Sequence, residues 1–321
     1  MEATEKDLTV NGIRLHVVEQ GQGPLVILCH GWPELAYSWR RQIPALAVAG
    51  YHVVAPDMRG FGASEAPPAL EDYTILHTVG DMVALVAACG EQTATIVGHD
   101  WGAPVAWASA MLRPDLFIAV AGLSVPHSAR PPTAPLATLR ARGITRFYWQ
   151  YFQEPGVAEE EFEADVARTL RMIVGGQASG PKASAVPLML AEDGGFLDMI
   201  AYPEMLPDWL TEADLATIVR AYQKSGFRGG LNWYRNIDRN WALLAPWQNV
   251  PIRQPALFVA GSRDPVINPA FAGGALARLQ ETVPGLRRSI VIDGAGHWIQ
   301  QEKADEVNAA LLAFLAETRT R

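Results

Sequence analysis

The chain has little cysteine, no long uncharged apolar run and no cluster of basic residues. Its two cysteines, Cys29 and Cys89, are too few for a disulfide framework and have no metal-ligand spacing, which fits a reducing compartment. Without an apolar run of membrane-spanning length or a secretion-type leader, we expect a soluble, cytoplasmic protein. The net charge of −8 argues against nucleic acid or an anionic membrane as a partner.

Internal repeats, low-complexity tracts and the Gly-x-Gly-x-x-Gly pattern of dinucleotide-binding proteins are also missing. We therefore expect neither a cofactor nor a bound metal. What the chain does have is 321 residues, of which 49% are hydrophobic. That is enough for a large core, and a single α/β core with an insertion commonly reaches this length.

Strand and helix patterns alternate in the first part of the chain. Residues 8–20 alternate apolar and polar side chains around Asn11-Gly12, which predicts a hairpin. Helical patterns cover about 35–48 and 74–89. Buried strands are predicted at residues 25–29, 51–55, 93–97 and 117–123. This alternation predicts a mostly parallel sheet flanked by helices.

The alternation stops after residue 123 and resumes at residue 255. The intervening segment has prolines, aromatic clusters and helical periods but little strand signal, so we interpret it as an inserted helical cap. The last part of the chain predicts a strand at 255–261, a helix at about 269–282, a strand at 289–292 and a helix at about 299–317. We therefore divide the chain into a core (1–126), a cap (127–249) and a second core part (250–321).

Residues 98–102 read Gly-His-Asp-Trp-Gly, between a predicted strand and a helical pattern. Glycines two before and two after Asp100 suit a strained strand–turn–helix elbow whose apex side chain is exposed. A carboxylate at the apex suits attack at an alkyl carbon because water can hydrolyse the resulting ester, whereas a serine would be left as an ether. Taken alone, the pattern fits equally well an aspartate that caps the helix.

Two further residues follow predicted strands, where a mostly parallel sheet places functional groups. Asp264 follows the strand at 255–261, and His297 follows the strand at 289–292. Each alone is typical of a turn or a helix cap, but with Asp100 they give the nucleophile–acid–base order of α/β-hydrolases. Asp293 is a competing acid, less suited to orient His297 because it is so near in sequence.

These motifs resemble the soluble-type epoxide hydrolases of the α/β-hydrolase fold. The resemblance spans nearly the whole chain and is carried by residues 30–33 (His-Gly-Trp-Pro), 98–102, 296–298 (Gly-His-Trp) and, more specifically, by the cap stretches 151–156 and 225–236. It implies a mostly parallel central sheet flanked by helices with an inserted helical cap. It also implies that water is added to a small, mostly apolar epoxide to give a vicinal diol.

In such a reaction Asp100 attacks an epoxide carbon and forms an ester, while two cap tyrosines donate to the ring oxygen. By motif position these tyrosines are Tyr148 and Tyr234, and Tyr151 is a rival of Tyr148. A phenol suits this task because its pKa of about 10 keeps it protonated at neutral pH.

The resemblance also implies roles in ester hydrolysis. His297, oriented by Asp264, would take a proton from the attacking water. The backbone amides of Trp32 and Trp101 would bind the oxyanion, with a cis bond before Pro33 turning the Trp32 amide inward.

The nearest alternative is a haloalkane dehalogenase, which shares the fold and the aspartate nucleophile. A departing halide needs weak N–H donors such as an indole or an Asn amide. Position 32 is Trp rather than the Asn of many dehalogenases, and the cap supplies two tyrosines, so we favour the epoxide. An ester hydrolase would place Ser at the elbow, and a non-catalytic binding protein would need a broken triad. The sequence predicts no particular oligomeric state.

Overall fold

The computed structural model describes residues 2–176, 188–267 and 274–319. Its strands are β1 (Thr4–Val10), β2 (Ile13–Gln20), β3 (Leu25–Cys29), β4 (His52–Pro56), β5 (Ala94–His99), β6 (Phe117–Leu123), β7 (Ala256–Gly261) and β8 (Leu286–Ile292). Within the described ranges they form one sheet in the order β1-β2-β4-β3-β5-β6-β7-β8. The pairs β1–β2 and β2–β4 are antiparallel and the others are parallel, so the predicted mostly parallel sheet is confirmed.

Helices cover both faces of this sheet, which explains why the central strands are continuous apolar runs. The flanking helices are α1 (Gln42–Val48), α2 (Ile75–Ala88), α3 (Gly102–Leu112), α11 (Leu279–Thr282), α12 (Ile299–Glu302) and α13 (Ala304–Thr318). In β3, Val26 and Leu28 pack with side chains of α1 and α13. Leu25 and Ile27 point the other way, into a cluster with side chains of α2 and α3.

The predicted hairpin at Asn11-Gly12 is confirmed, since Val10 pairs with Ile13. Both turn residues have positive φ, 47° and 80°, as a tight hairpin turn of this type requires. At the opposite edge, β8 begins at Leu286 rather than at residue 289. Its first residues include exposed Arg287 and Arg288, which are typical of an edge strand but interrupt the apolar pattern used for the prediction.

Two predicted helices are wrong in extent. The pattern at 35–48 forms a 3₁₀ helix (Ala36–Trp39) followed by α1. Pro44 lacks an N–H and its ring would clash with the carbonyl four residues earlier, so it is tolerated only in the first turn of α1. The final helix is broken at Lys303, whose φ of −131° and ψ of 50° are not helical. The residue before this break, Glu302, accepts hydrogen bonds from backbone amides of the loop that carries His297.

The predicted helix at about 269–282 is only partly observable. Residues 269–273 lie outside the described residues, and within the described part only α11 is an α-helix. A 3₁₀ helix at Pro265–Ile267 precedes them, and another at Leu70–Tyr73 precedes α2.

The described chain between β6 and β7 contains loops and an isolated bridge between Phe147 and Met189, but its regular elements are helices. They are α4 (Pro135–Ala141), α5 (Tyr148–Tyr151), α6 (Val157–Glu163), α7 (Val166–Leu170), a π-helix (Arg171–Gly176), α8 (Glu212–Ser225), α9 (Arg228–Arg235) and α10 (Ile237–Leu243), with 3₁₀ helices at Leu197–Met199 and Ala245–Trp247. The cap bounds of 127 and 249 remain a prediction.

Helix α9 is fixed against the loop after β4. A Cβ on Gly229 would lie 1.9 Å from the Gly60 carbonyl oxygen, so the two backbones meet at a distance that only glycine permits. The indole of Trp233 donates to the Arg59 carbonyl at 3.1 Å. The side chain of Asn236, just after α9, donates to the Leu70 carbonyl at 2.8 Å. These contacts set the height of α9 above the ends of the strands.

Candidate active site

Asp100 lies at the apex of the turn between β5 and α3, with φ at 48°. The glycines around it are required by close packing: a Cβ on Gly98 would lie 2.0 Å from the Gly102 carbonyl oxygen, and one on Gly102 would lie 2.1 Å from the Cys29 carbonyl oxygen. The Asp100 side chain retains 16% exposure and lines a cavity. Its Oδ1 accepts from the Trp32 amide at 2.8 Å, so the carboxylate faces the loop after β3.

His297 lies between two carboxylates. Its Nδ1 is 3.0 Å from Asp264 Oδ2, and its Nε2 is 3.4 Å from Asp100 Oδ2. Asp264 is 3% exposed, and its Oδ1 also accepts from the Val266 amide at 2.8 Å, which holds it in place. Asp293, the competing acid, instead accepts from the Ser262 hydroxyl at 3.1 Å in an exposed position. The structure therefore brings together the three residues expected from sequence.

The two carboxylates also set the charge of the imidazole. Burial lowers the pKa of His297, but the charges of Asp264 and Asp100 and their hydrogen bonds outweigh it and raise that pKa well above its ordinary value. The free site therefore favours an imidazolium that shares its two protons between two carboxylates.

The two residues predicted to supply oxyanion amides both lie beside Asp100. Trp32 presents its amide to the carboxylate, and its peptide bond to Pro33 is cis. Trp101 follows Asp100 directly and contributes its ring, which meets the Tyr234 ring edge-on at a centroid distance of 5.0 Å. The role of the Trp101 amide stays a prediction.

Tyr148 and Tyr234 approach each other from different helices, α5 and α9, with ring centroids 5.8 Å apart. Tyr148 lines the same cavity as Asp100. Tyr234 is 3% exposed and packs edge-on against Trp32 at 5.7 Å. Burial raises the pKa of both phenols, and the nearby Asp100 charge raises it further, so both hydroxyls stay protonated at neutral pH.

Tyr151, the rival of Tyr148, is directed elsewhere. Its hydroxyl donates to Glu161 Oε2 at 2.8 Å. The same carboxylate accepts from the amides of Phe196 and Leu197, at 3.0 and 2.9 Å. Tyr151 is thus part of the hydrogen bonding that joins α6 to the 197–199 turn.

The cavity has a volume of about 580 Å³ and lies between the helices that follow β6 and the carboxyl ends of the strands. Apolar and aromatic side chains form most of its wall, including Trp101, Trp107, Trp149 and Trp241. Within the described residues no group of three His, Cys, Asp or Glu side chains could hold a metal ion. The arrangement presents the Asp100 carboxylate and the Tyr148 phenol to a largely apolar space, with the His297 imidazole beside the first and the Tyr234 phenol beside the second.

Known proteins are similar to this chain in both sequence and fold. A family model described as alpha/beta hydrolase fold matches residues 24–304. Epoxide hydrolase A of Mycobacterium tuberculosis is 46% identical over 322 residues, covering 99% of this chain and 99% of that protein. The chain belongs to the epoxide hydrolases of the α/β-hydrolase fold.

Solved epoxide hydrolases also superpose along nearly their whole length. The crystal structure of Epoxide Hydrolase A from Mycobacterium thermoresistibile has a TM-score of 0.92 and 48% identity, covering 98% of both chains. An epoxide hydrolase from an endophytic Streptomyces has a TM-score of 0.93 and 44% identity, covering 99% of this chain and 96% of that one. No helix in the described parts of this hydrolase is both long and apolar enough to cross a membrane.

The structure adds a buried ion pair that the sequence analysis missed. Glu34, 2% exposed, has its Oε2 2.6 Å from Nδ1 of His99, whose Nε2 is 2.8 Å from the His297 carbonyl oxygen. Burial opposes ionisation of Glu34, but the charge of His99 and hydrogen bonds to the carboxylate outweigh it and lower the pKa of Glu34 to about 2. Glu34 also accepts from the Gly31 amide at 3.2 Å, so the pair joins the loop after β3 to the backbone of His297.

Glu302 of this epoxide hydrolase, which contacts the loop that carries His297, was also missed. Its carboxylate accepts from the amides of Gly296 and Trp298, at 2.6 and 2.9 Å, on either side of His297. The last turn of α12 must fold toward this loop to bring Glu302 there, which accounts for the helix break at Lys303. The motif at 296–298 signalled the loop, but no local pattern signals its partner four residues farther on.

Proposed function

We propose that this protein hydrates an epoxide to a vicinal diol through an ester on Asp100. The observation that carries the proposal is a cavity lined by a carboxylate, which a backbone amide holds, and by the neutral phenol of Tyr148, whose ring packs against a second neutral phenol, Tyr234. A carboxylate alone would serve many reactions. A protonated phenol pair opposite it suits a leaving oxygen that becomes an alkoxide and needs a proton.

The first step forms the ester. Asp100 Oδ1 accepts from the Trp32 amide, so Oδ2 is the oxygen free to attack an epoxide carbon. The bond between that carbon and the ring oxygen breaks, and the oxygen takes a proton from Tyr148 or Tyr234. A phenol is a stronger acid than an alcohol, and the burial that raises both phenol pKa values disfavours the alkoxide in the same way, so the proton moves to the ring oxygen.

The second step hydrolyses the ester. His297 takes a proton from water, and the oxygen of that water bonds to Cγ of Asp100. Negative charge develops on Oδ1, which the Trp32 amide already contacts. The Trp101 amide is the proposed second donor to this oxygen. Each such donor typically lowers the barrier by roughly 3 kcal/mol. The bond between Cγ and Oδ2 then breaks, so the diol keeps the old Oδ2 and Asp100 keeps the oxygen of the water.

The charge on His297 is proposed to change between the two steps. Forming the ester neutralises Asp100, one of the two carboxylates that raise the pKa of the imidazole. The imidazole then loses a proton more easily and becomes the base that water requires. The proton that the imidazolium loses restores the tyrosine that donated to the epoxide oxygen, and the one net proton released by ester hydrolysis recharges His297.

The direct test is product analysis with purified protein. A terminal alkyl epoxide and a bromoalkane of matched chain length are each incubated with it, and the products are identified by mass spectrometry. We expect a vicinal diol from the epoxide, at a rate that far exceeds any bromide release. Bromide release without diol formation would contradict the proposal and favour the dehalogenase alternative.

A further inference from the structure

One face of α3 forms a wall of the cavity. Pro104, Trp107, Ala108 and Met111 line it, and their spacing of three, four and seven residues is that of a single helix face. Asp100 lies just before α3. Because an α-helix rises 1.5 Å per residue, the level of Trp107 is roughly 10 Å beyond Asp100 along the helix axis.

His127 lines the cavity at that distant level. Its ring packs edge-on against Trp107 at a centroid distance of 6.0 Å. Trp107 is itself fixed, because its indole donates to the Val125 carbonyl at 3.0 Å. Its ring also rests on Gly122, where a Cβ would lie 2.2 Å from the ring. The position of His127 is therefore set by a rigid support.

His127 is a polar group with unmet hydrogen-bonding capacity. Its Nδ1 is buried and has no hydrogen-bond partner in the described parts of the chain. Burial lowers the pKa of His127 to about 4, so the ring is neutral at pH 7 and can donate or accept. Because Nδ1 is enclosed, the ring nitrogen that a ligand in the cavity can reach is Nε2, which also has no hydrogen-bond partner among the described residues.

The surrounding charges favour a neutral partner for His127. Two acidic side chains, Asp100 and Glu281, and one basic side chain, Arg130, line the cavity, so its charges do not favour an anion. The Arg130 guanidinium already donates to the Trp241 carbonyl at 2.7 Å and to Gln248 Oε1 at 3.0 Å. A substrate carboxylate would lose its hydration here and be repelled by two carboxylates, whereas a hydroxyl or carbonyl loses much less.

We propose that His127 is a second anchor for the substrate, which binds a neutral hydroxyl or carbonyl carried on an apolar chain roughly 10 Å from the epoxide carbons. This rests on the proposed function and deepens it by naming the substrate class: mostly apolar epoxides with one remote hydrogen-bonding group. His127 selects among epoxides and takes no part in ring opening.

The test compares three straight-chain terminal epoxides of equal length. The first ends in a hydroxyl at the distance of His127, the second ends in a methyl, and the third carries its hydroxyl three carbons nearer to the epoxide. His127→Phe keeps a ring on Trp107 and removes both nitrogens. We expect the preference for the first epoxide over the second, as the ratio of their kcat/KM values, to fall about tenfold in this variant. The third should be affected no more than the second.

Matched variants separate hydrogen bonding from packing. His127→Gln can place its amide nitrogen near the position of Nε2, and it should restore part of the preference. Met111→Leu alters the same wall without a polar atom, and it should change kcat/KM for all three epoxides by one common factor. A preference that is unchanged in His127→Phe, or a loss shared equally by all three epoxides, would overturn the proposal.

A binding measurement keeps this proposal separate from the proposed function. The unreactive alcohol of the same length, with no epoxide, is titrated calorimetrically into the wild type and into His127→Phe. We expect its Kd to rise about tenfold in the variant. If the protein hydrates no epoxide but this rise is seen, the proposed function fails and the anchor stands. If epoxides are hydrated and the Kd does not change, only the anchor fails.

Discussion

The strand ends and the helices above them bring different chemistry to the same cavity. The strand ends supply charge: the His297 imidazole lies within 3.4 Å of both the Asp100 and the Asp264 carboxylates, and backbone amides hold both carboxylates. The helices between β6 and β7 supply neutral hydroxyls. Tyr148 and Tyr234 are held by aromatic neighbours.

This difference follows from the cost of burying each kind of group. A buried carboxylate or imidazolium is stable only with fixed donors and counter-charges, which loops at the ends of a rigid sheet can provide. A phenol carries no charge, so aromatic packing and a single hydrogen bond to its hydroxyl are enough to bury it. Asp100 takes part in both steps; apart from it, we expect variants at the strand ends to act on ester hydrolysis and variants in the helices to act on ring opening.

The largest expected effect is at the imidazole. His297→Gln removes the base but leaves Asp100, Tyr148 and Tyr234 in place, so ester formation should survive while turnover falls on the order of 10⁴-fold or more. Intact-protein mass spectrometry should find the mass of one substrate added to the variant. A correctly folded variant that gains no mass would show that the imidazole also acts in ring opening, and the division between the two regions would fail.

The phenols should give the next largest effect. Each single change to Phe leaves the other hydroxyl to protonate the alkoxide, whereas Tyr148→Phe with Tyr234→Phe should slow ester formation by about 10²–10⁴-fold. Rapid-quench measurement of ester formation and hydrolysis separates the two steps, and hydrolysis should change much less.

Tyr151→Phe is the matched control for the phenols, since it removes a hydroxyl that donates to Glu161. It should leave ester formation close to the wild-type rate. If Tyr151→Phe were inactive and Tyr148→Phe were not, the assignment of Tyr148 would be wrong. A double variant that opened epoxides at the parental rate would contradict the role of both phenols.

The effect of pH should differ between the two steps. In the free protein the imidazolium pairs with Asp100, so ester formation should rise with pH as His297 loses its proton, with a midpoint above the ordinary histidine pKa. In the ester that carboxylate is neutral, so hydrolysis should rise with a lower midpoint. Single-turnover rates from pH 5 to 9 give both midpoints. Equal midpoints, or a higher one for hydrolysis, would contradict the proposed change of charge.

The smallest expected effect is at Glu302. Glu302→Gln keeps one acceptor for the two amides beside His297 and turns an N–H₂ group toward the other, which should cost about 1–3 kcal/mol of unfolding free energy. It should also slow ester hydrolysis more than ester formation. Glu306→Gln is the matched control, because Glu306 is half exposed and its Lys303 partner is 3.8 Å away. Equal effects of the two variants on hydrolysis would contradict a positioning role for Glu302.

The strand-end residues could be predicted because each lies in a short motif directly after a recognisable strand. Asp100, Asp264 and His297 needed only the rule that parallel strands end at one edge of the sheet. Glu34 and His99 could not be paired in this way, since 65 residues separate them and their contact depends on how two loops meet. The contact of Glu302 with the His297 loop could not be predicted, because the apolar pattern indicated one helix that continues through the break at Lys303.

The helical residues were harder to assign. Tyr148 and Tyr151 are three residues apart, and residues at this spacing lie on nearly the same face of a helix, so periodicity could not separate them. What separates them in the structure is Glu161, ten residues away on the next helix, which accepts the hydroxyl of Tyr151. The choice depends on tertiary contacts that spacing along the chain does not contain.

The central claim is that a carboxylate oxygen of Asp100 leaves in each diol. It is tested most directly by many turnovers in water enriched in oxygen-18, followed by mass spectrometry of the peptide that contains Asp100. We predict label in that peptide, and a first-turnover diol that carries unlabelled oxygen from the protein. Label in the diol from the first turnover, with no label at Asp100 in an active enzyme, would mean that water attacks the epoxide directly and that Asp100 is not the nucleophile.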